Sequence, residues 1–587
     1  MACVLLVAMP WNRADYPSIQ VGLLKGHLVR HGVPVRALYP YLDLEQRIGR
    51  DLYLRLADKL HPVLAESFFA AMLAADADME RLGDRFLLET EELDARDIAS
   101  VRSTIRGFVH DLLEADCWNG VDLVGFTCSF NQVYSSLLAA RELKRLHPRI
   151  RTVFGGTAMH GNAGRSYFDS YDFIDYLVSG PGEEALIQLA TAPPSHRTFI
   201  EAPPSAPSGA PDFDEFFSAA APSPRPAVVL SASRGCNFGR CAFCAQNNEA
   251  GYSRRDPTEV LREVAATTRR YHTDRVEFSD TCFPFEFLRG EWPARMGMLG
   301  ARCFAQVRTF TSFSQAAAMR RAGFDQVQVG IESFNGRTLT RMNKPAGLLA
   351  NIQCLRVAYA SDIDVGYNLI LDFPGTTASD LREMAALLPA MYHLQPPTAL
   401  VPFALHDGSE VQRQPSQFGV TGVRPHHYYD AVAPDFARGH LVPLFYDFEC
   451  VCAHLQEELE RIDELCRTWI SVFDPIRPIL AWSRDNGSIF IHDRRNMSSS
   501  STYVLPDVAA RTIELLDQPC ARVDLAHRLG DESRAREGLE WLRQRLLIVE
   551  DDQRALALPI EDGPRSLRPP DELDSYFAPT SSRGLPC

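Results

Sequence analysis

The chain has 587 residues, which is too long for one hydrophobic core and predicts several domains. Its 75 acidic residues outnumber 60 Lys and Arg, giving a net charge of −15, and no basic cluster offsets this, which disfavours a nucleic-acid partner. No segment is long and apolar enough to span a membrane, and the amino terminus lacks the basic region of a signal peptide. With 14 cysteines and no export signal, we expect a cytoplasmic protein with reduced thiols.

Apolar runs alternate with helix-like segments from residue 3 to about residue 190. The predicted strands are "CVLLVAM", "VPVRALYP", "DLVGFTCS", "RTVFGG" and "IDYLVSG". Continuous apolar strands separated by amphipathic helices predict a parallel sheet covered on both faces. We therefore expect a doubly wound, Rossmann-like α/β domain over residues 1–191, with a helical insert at 43–118. Ligands of such sheets bind beyond the carboxyl ends of the strands.

The alternation of strands and helices stops and then restarts. Residues 192–226 are rich in Pro, Ala and Ser, which predicts a semi-stiff linker. Residues 227–450 then contain six β-then-α units, beginning with the strand "AVVLSAS". Six such units with right-handed crossovers predict an open partial (βα)6 barrel, in which chemistry gathers at the strand ends.

The carboxyl-terminal part has a different pattern. Residues 451–485 predict a helical connector, and residues 486–560 predict a small α+β domain of winged-helix type that recognises a partner, its acidic residues disfavouring DNA. Residues 561–587, rich in Pro, Ser and Arg, predict a disordered tail.

Three cysteines stand immediately after the first strand of the predicted barrel. Cys236, Cys241 and Cys244, in "SRGCNFGRCAFC", have the spacing C-x4-C-x2-C. Three thiolates can hold three irons of a [4Fe–4S] cluster and leave the fourth iron for a substrate or cosubstrate. A closed zinc site needs a fourth ligand, and the nearest candidates downstream are His272 and Cys282. Buried cysteines without a metal are the third interpretation, and a disulfide is the least expected in a reducing compartment.

The cysteine stretch resembles the cluster loop of radical S-adenosylmethionine (SAM) enzymes, which are built on an open six-unit βα barrel. In that family an aromatic residue precedes the last cysteine and packs by the adenine of SAM, and Phe243 occupies that position. The usual spacing has three residues between the first two cysteines, whereas this chain has four. The resemblance implies a [4Fe–4S] cluster held by Cys236, Cys241 and Cys244, with SAM at the open iron.

Other segments of the barrel resemble the family by position, and they imply further contacts to SAM. Glu332 and Ser333 belong to "GIES", a strand-end motif that reaches the ribose or amino-acid group of SAM. Ser279, in "FSDT", stands where many members carry Gly-Gly-Glu, and Arg308 is a candidate clamp for the SAM carboxylate. The alternatives are a strand-end Glu that caps the next helix and a solvated surface Arg.

The amino-terminal half resembles the cobalamin-binding domain that precedes the barrel in one radical SAM class. The segments that carry this are "MPWNRADYPSIQVGLLKGHLVRHG", "LVGFTCSFNQ", "VFGG" and "VSGPGEEA". The resemblance implies cobalamin contacts at Ser129, Gly155, Gly156 and Gly180. The first loop has no Asp-x-His-x-x-Gly, so cobalamin would bind base-off without a His ligand. The alternative is a Rossmann-like scaffold with an empty crevice.

Over residues 3–450 the pattern resembles most closely the radical SAM C-methyltransferases that mature ribosomally made peptides. This implies that a 5′-deoxyadenosyl radical attacks an unactivated carbon of a precursor peptide, and that methylcobalamin supplies the methyl group. The implied partners are that peptide and an electron donor such as flavodoxin or ferredoxin, with no nucleic acid and no membrane. The alternatives are epimerisation, oxidation, rearrangement or cross-linking by the same radical, and a noncatalytic, zinc-stabilised peptide-binding protein.

Overall fold

A computed structural model describes residues 2–207, 209–219, 226–245, 251–433, 439–450, 455–476, 479–496 and 499–561. The predicted disordered tail, apart from residue 561, lies outside these ranges. Within them, no helix combines the length and the apolar character that a membrane crossing requires.

The amino-terminal unit is a six-stranded parallel sheet in the order β2-β1-β3-β4-β5-β6. Its strands are β1 (Val4–Ala8), β2 (Val35–Leu38), β3 (Leu123–Thr127), β4 (Arg151–Gly155), β5 (Tyr176–Ser179) and β6 (Thr198–Glu201). All five residues of β1 are buried, which explains its continuous apolar run. β2 is added on one side of β1, and β3 and the later strands are added on the other side. The helices that follow β1 and β3 therefore lie on opposite faces of the sheet, which leaves a crevice beyond the carboxyl ends of these two strands.

Helices cover both faces of this sheet, and a group of them forms the predicted insert between β2 and β3. The helices are α1 (Ile19–Arg30), α2 (Pro40–Ile48), α3 (Arg50–Leu54), α4 (Pro62–Ala74), α5 (Ala77–Glu89), α6 (Ala95–Glu114), α7 (Val133–Leu146), α8 (Gly161–Ser170), α9 (Glu183–Thr191) and α10 (Asp214–Ala219). Helix α4 is buried on most sides because it lies between the rest of the insert and α7.

The stretch predicted as a linker contains packed structure. Strand β6 pairs in parallel with β5, and α10 buries Phe216 completely. The linker prediction therefore needs correction in these two places. A four-residue strand with no fully buried residue has no clear alternation, and the surrounding prolines hide it further.

The second unit is a six-stranded partial barrel. Its strands are β7 (Val228–Leu230), the short pair β8 (Ser233–Arg234) and β9 (Ser253–Arg254), then β10 (Arg275–Phe278), β11 (Arg302–Val307), β12 (Phe324–Val329), β13 (Asp364–Gly366), β14 (Asn368–Ile370) and β15 (Ala399–Val401). Five strands form one parallel sheet in the order β13-β12-β11-β10-β7. The fifth barrel strand breaks at Tyr367 and continues as β14, which pairs with β15, the sixth.

Helices cover the outside of the barrel. They are α11 (Pro257–Tyr271), α12 (Trp292–Gly297), α13 (Phe313–Arg321), α14 (Gly336–Arg341), α15 (Leu348–Ala360) and α16 (Ala378–Leu387). Helix α11 shows why the boundaries are readable from sequence. The Asp256 side chain accepts hydrogen bonds from the first-turn N–H groups, Pro257 opens the helix, and His272 ends it in a left-handed conformation.

The chain after β15 adds two further parts. A small antiparallel sheet contains β16 (Leu405–His406), β17 (Thr421–Pro425) and β18 (Phe445–Glu449), with α17 (Glu410–Arg413) between its first two strands. Then follow α18 (Gln456–Ile476), β19 (Leu480–Asp485), β20 (Ser488–Asn496), β21 (Ser499–Val504), α19 (Asp507–Leu515), β22 (Cys520–Ala521), α20 (Arg522–Leu529), α21 (Glu532–Arg543), β23 (Ile548–Glu550), β24 (Arg554–Ala557) and β25 (Ile560–Glu561).

The last α+β unit is locked to the outside of the barrel by a buried arginine. Arg356 of α15 is 1% exposed. Its guanidinium donates to the carbonyl oxygens of Leu558 (3.3 Å), Pro559 (2.9 Å) and Asp517 (2.9 Å) and to the Asp517 carboxylate (3.0 Å). A doubly wound domain, a partial barrel and a small α+β unit are the predicted fold class, which is confirmed.

Candidate functional site

The three cysteines lie on the loop that leaves the carboxyl end of the first barrel strand. Gly235, just before Cys236, has φ of 77°, and a Cβ atom there would lie 2.5 Å from the Gly251 oxygen, so only glycine fits. The Cys244 N–H donates to the Cys241 oxygen (3.1 Å), which closes a tight turn. All three thiols are partly exposed, and the loop therefore presents them outward rather than into a core.

A second set of possible metal ligands lies away from the cysteine loop. Among the described residues, His426, His427 and Asp447 are the group of three whose ligand atoms lie within 4.8 Å of one another. The three sulfurs of the cysteine loop do not all lie within this limit, and a bound zinc ion would have to bring them to about 3.8 Å from one another, given Zn–S bonds of about 2.3 Å.

The two candidates for a fourth zinc ligand lie at different ends of the barrel. His272 precedes β10, at the amino end of the strands, and the structure does not bring it to the loop. Cys282 follows β10, and its thiol hydrogen-bonds the Cys236 sulfur. That bond and the N–H groups of Gly239 and Phe238 lower the pKa of Cys236 to about 5. Burial instead raises the pKa of Cys241 to about 11, so at neutral pH Cys241 needs a metal to become a thiolate.

Charged residues from two strand ends flank the cysteines. Arg308, after β11, acts electrostatically on Cys236, whereas Lys344 and Glu332 act on Cys241. Lys344 Nζ lies 3.2 Å from Glu332 Oε1 and 5.8 Å from the centre of the Phe243 ring. The structure thus places Arg308, Glu332 and Phe243, three of the predicted SAM contacts, around the cysteine loop.

Glu332 also has an unusual backbone. Its φ is 62°, which non-glycine residues rarely adopt, and its carbonyl accepts the Ile370 N–H at 2.9 Å. This bond joins the end of β12 to β14 across the break in the barrel sheet. Strained backbone of this kind concentrates at functional sites.

Two predicted SAM contacts have other partners. Ser279 donates its hydroxyl to the Leu230 oxygen at 3.2 Å, although it remains exposed. Ser333 is 2% exposed, accepts the Asn335 N–H at 3.1 Å and faces the Met384 sulfur at 4.0 Å. The structure therefore turns Ser333 into the core and does not bring it to the site, because two successive strand-end residues point in opposite directions.

The barrel lumen beside the cysteines is polar. The register pairs Gln306 of β11 with Gln328 of β12, and alternate residues such as Val307 and Val329 are buried against the helices. Gln306 is exposed and Gln328 is half-buried. Gln306 is two residues before Arg308 on the same face of its strand. Two neighbouring carboxamides therefore line the lumen one layer below the cysteine loop.

A cavity of about 350 Å³ separates the amino-terminal sheet from the cysteine loop. One wall contains Thr127 and Gly155, the last residues of β3 and β4, and Gly156 and Gly180, which directly follow β4 and β5. The opposite wall contains Ser231, Ser233, Arg234, Gly235, Ser279 and Thr281 of the barrel. Ser129 lies in the same loop as Thr127 but does not line this cavity; its backbone bonds Gln132 instead.

The three glycines on the cavity wall differ in how strongly their surroundings require glycine. Gly156 has φ of 105°, and a Cβ atom would lie 2.5 Å from the Cys128 oxygen. Gly180 has φ of 110°, and its Cβ atom would lie 2.8 Å from the Ala202 oxygen. At Gly155 the nearest atom would be 3.5 Å away. Close packing between chain segments therefore requires Gly156 and Gly180, beyond any room they leave for a ligand.

His160 gives the cavity a polar group. Ser179 Oγ accepts the Gly161 N–H at 2.9 Å and lies 3.2 Å from His160 Nδ1. The Ser179 hydroxyl can donate to Nδ1 or accept from it, because it has a second lone pair. Nδ1 is engaged in either case, so Nε2 is the ring nitrogen that His160 can offer to a ligand in the cavity that it lines.

Sequence reasoning missed three charged residues of this region: Lys344, Arg234 and Glu183. Arg234 and Glu183 stand in quoted motifs, "SRGC" and "GPGEEA", but their contact joins positions 51 residues apart. Lys344 belongs to a loop with no motif around it. Only the folded chain brings these side chains to the site.

Residues 230–388 match the radical SAM superfamily. The barrel is a radical SAM domain. The matched segment runs from the end of β7 through α16 and includes the three cysteines, Arg308, Glu332 and Lys344. The predicted resemblance to this family is confirmed.

Comparisons with individual proteins cover more of the chain than the family match does. The chain is 22% identical over 362 residues to an uncharacterized methyltransferase, PH0819, of Pyrococcus horikoshii, covering 56% of this chain and 73% of that protein. The structure of the radical SAM methyltransferase TsrM from Kitasatospora setae, with cobalamin and a [4Fe–4S] cluster bound, is 14% identical, with a TM-score of 0.52 over 92% of this chain and 99% of TsrM. The cobalamin-dependent enzyme OxsB is 12% identical, with a TM-score of 0.46 over 93% of this chain and 71% of OxsB. The likeness to TsrM shows that this chain and TsrM share one overall fold.

Proposed function

We propose that the protein is a cobalamin-dependent radical SAM enzyme that methylates an unactivated carbon of a peptide. The observation that carries this proposal is the position of the three cysteines. They follow the first strand of a radical SAM barrel, and the two residues that directly precede Cys236, Arg234 and Gly235, line a cavity that the crevice of a doubly wound domain completes.

The residues of the loop fit a [4Fe–4S] cluster. Three partly exposed thiols on a glycine-containing loop supply soft ligands, enough to hold three irons and leave the fourth open. Cys236, Cys241 and Cys244 would each hold one iron. Arg308 and Glu332 would bind the carboxylate and the amino group of SAM, and Phe243 would pack against its adenine.

The cavity fits the nucleotide tail of cobalamin. Its walls combine the apolar residues Leu6, Phe126 and Val153 with backbone turns, and His160 contributes a polar ring. The position, beyond the carboxyl ends of the strands, is where such sheets bind their ligands. Cluster and SAM supply a carbon radical when bound, and cobalamin supplies a transferable methyl group; the chain's own part is to hold them and exclude water.

The polar lumen supports a peptide substrate. Gln306 and Gln328 lie side by side, and each carboxamide offers both donors and an acceptor. A hydrocarbon substrate would leave both groups desolvated and unpaired, which costs free energy, whereas a peptide bond has the matching groups. We infer that a precursor peptide enters the lumen, that a flavodoxin or ferredoxin supplies the electron, and that the carboxyl-terminal α+β unit recognises the peptide.

The test is anaerobic reconstitution with iron, sulfide and hydroxocobalamin. We expect about four irons per chain, one bound cobalamin, and SAM-derived 5′-deoxyadenosine under reducing conditions. S-adenosylhomocysteine formed in parallel would support methyl transfer, whereas deoxyadenosine alone would favour the other radical reactions. A colourless protein that binds zinc and leaves SAM intact would refute the proposal. The triple Cys-to-Ala variant of the loop is the negative control.

A further inference from the structure

Arg234 lies where three separate parts of the chain meet. It belongs to β8 and directly precedes Gly235 and Cys236 of the cysteine loop. Its guanidinium donates to Glu183 Oε1 at 2.7 Å, at the start of α9 in the amino-terminal unit. It also donates to the Ser205 oxygen at 2.8 Å, in the segment that connects the two units. One side chain thus joins the cluster loop to both.

The ion pair of Arg234 and Glu183 is partly withdrawn from water. The two side chains are 26% and 7% exposed. Such a pair is screened less by salt and solvent than a surface pair, so its geometry constrains the loop more strongly. Other bonds of the cysteine loop go to the barrel and to the part of the chain that follows it: the Ala242 N–H donates to the Met342 oxygen, Asn343 donates to the Arg240 oxygen, and the Val411 N–H donates to the Ala242 oxygen.

The same residues form part of the cavity wall. Glu183, Pro207, Arg234 and Gly235 all line the cavity. A molecule that fills it removes water from around the ion pair and presses against the first residues of the cysteine loop. Lower local polarity strengthens the attraction between the two charges. Filling the cavity and fixing the loop are therefore linked through Arg234.

We propose that Arg234 is a positioning residue that couples cobalamin binding in the cavity to the geometry of the cluster loop. This rests on the proposed function, which assigns cobalamin to the cavity and the cluster to the loop. Coupling between two sites is reciprocal. The factor by which cobalamin tightens SAM must therefore equal the factor by which SAM tightens cobalamin.

The experiment measures both factors on the cluster-loaded full chain, without reductant so that SAM stays intact. Hydroxocobalamin binding is followed by absorbance with and without SAM, and SAM binding by equilibrium dialysis with and without hydroxocobalamin. We expect the parent to show equal factors between about 5-fold and 150-fold. In Arg234→Ala both factors fall to nearly one. In a separate sample, the electron paramagnetic resonance spectrum of the reduced cluster then no longer responds to cobalamin.

Two further variants keep the test informative if Arg234→Ala loads its cluster poorly. Glu183→Gln breaks the same ion pair from the other side and should lower both factors in the same way. Arg234→Lys keeps one charged contact but lacks the fork that reaches Glu183 and Ser205 together, so it should retain part of the coupling. Arg240→Ala is the matched control, because Arg240 belongs to the same loop and stacks on Phe238, 5.0 Å from its ring centre; it should behave as the parent.

The outcomes separate the two proposals. A parent protein that binds no cobalamin refutes the function assigned to the cavity, and the coupling with it. A parent that binds cobalamin and SAM independently refutes the coupling alone. The coupling alone is also refuted if, in Arg234→Ala or Glu183→Gln, cobalamin and SAM still tighten each other's binding as in the parent and the cluster spectrum still responds to cobalamin.

Discussion

Replacing Glu66 by Gln should make the protein more stable at alkaline pH. Glu66 of α4 is 2% exposed and accepts the Tyr134 N–H at the start of α7, the helix that follows the Thr127 loop of the cavity. Burial raises the pKa of Glu66 from 4.5 to about 8, although the hydrogen bonds from α7 act in the opposite direction. The carboxyl group is therefore neutral in the folded protein at pH 7, and a neutral Gln can replace it with the same shape.

The size and sign of the effect follow from this shift. Between pH 4.5 and about 8 the unfolded chain has released the Glu66 proton and the folded chain has not, so stability falls as the pH rises through this range. The difference of 3.5 pKa units, from 4.5 to about 8, corresponds to a loss of about 5 kcal/mol. The contribution of Glu66 to the free energy of unfolding is therefore largest below pH 4.5, and it is lost once the pH exceeds the pKa of Glu66 in the folded protein, about 8.

The assay is thermal unfolding of the full chain from pH 5 to pH 8.5. Near pH 5 the parent and Glu66→Gln should unfold at similar temperatures. At pH 8.5 the unfolding temperature of the variant should be higher than that of the parent by about 10 to 20 °C, since a loss of about 5 kcal/mol at about 2 to 4 °C per kcal/mol is expected in a domain of about 200 residues. Glu89→Gln, on the exposed face of the next helix, should follow the parent at every pH. A constant difference between Glu66→Gln and the parent across this range would refute the reasoning.

Three further substitutions test other parts of the structure. Arg356→Met should lower the free energy of unfolding by about 1 to 3 kcal/mol in thermal or denaturant melts, because it removes the donor to the buried Pro559 oxygen and one of two donors to the Leu558 and Asp517 oxygens; wild-type stability would contradict the proposed lock. Cys241→Ala should lose most of the iron and visible absorption after reconstitution, whereas Cys303→Ala, at a buried cysteine of β11, should keep them; equal iron in both would be inconsistent with the assigned ligands. Gly156→Ala should lower the free energy of unfolding by about 1 to 3 kcal/mol and weaken cobalamin binding. Gly155→Ala should have nearly the stability and cobalamin affinity of the parent. If Gly155→Ala were the less stable of the two variants, the backbone at Gly156 would tolerate a side chain.

Patterns within short stretches predicted much of the fold. The five apolar runs of the first unit all form strands, and α11 begins at Asp256-Pro257 and ends before His272, residues of the kinds that start and stop helices. These features depend on hydrophobic period and on capping residues that are close in the chain. The break of the fifth barrel strand at Tyr367 and the strand β6 were not predicted, because pairing partners from other parts of the chain create them.

The site divides in the same way. The sequence by itself determined the cysteine loop, since its three thiols and the glycines that shape it lie within twelve residues, and it indicated which strand ends carry charge. Only the tertiary structure decided which of those residues reach the loop: it brought Lys344 beside Glu332, turned Ser333 into the core and joined Arg234 to Glu183. The physical reason is distance along the chain. Local patterns record backbone conformation, whereas the direction of a strand-end side chain and its ionic partner depend on how separate elements pack.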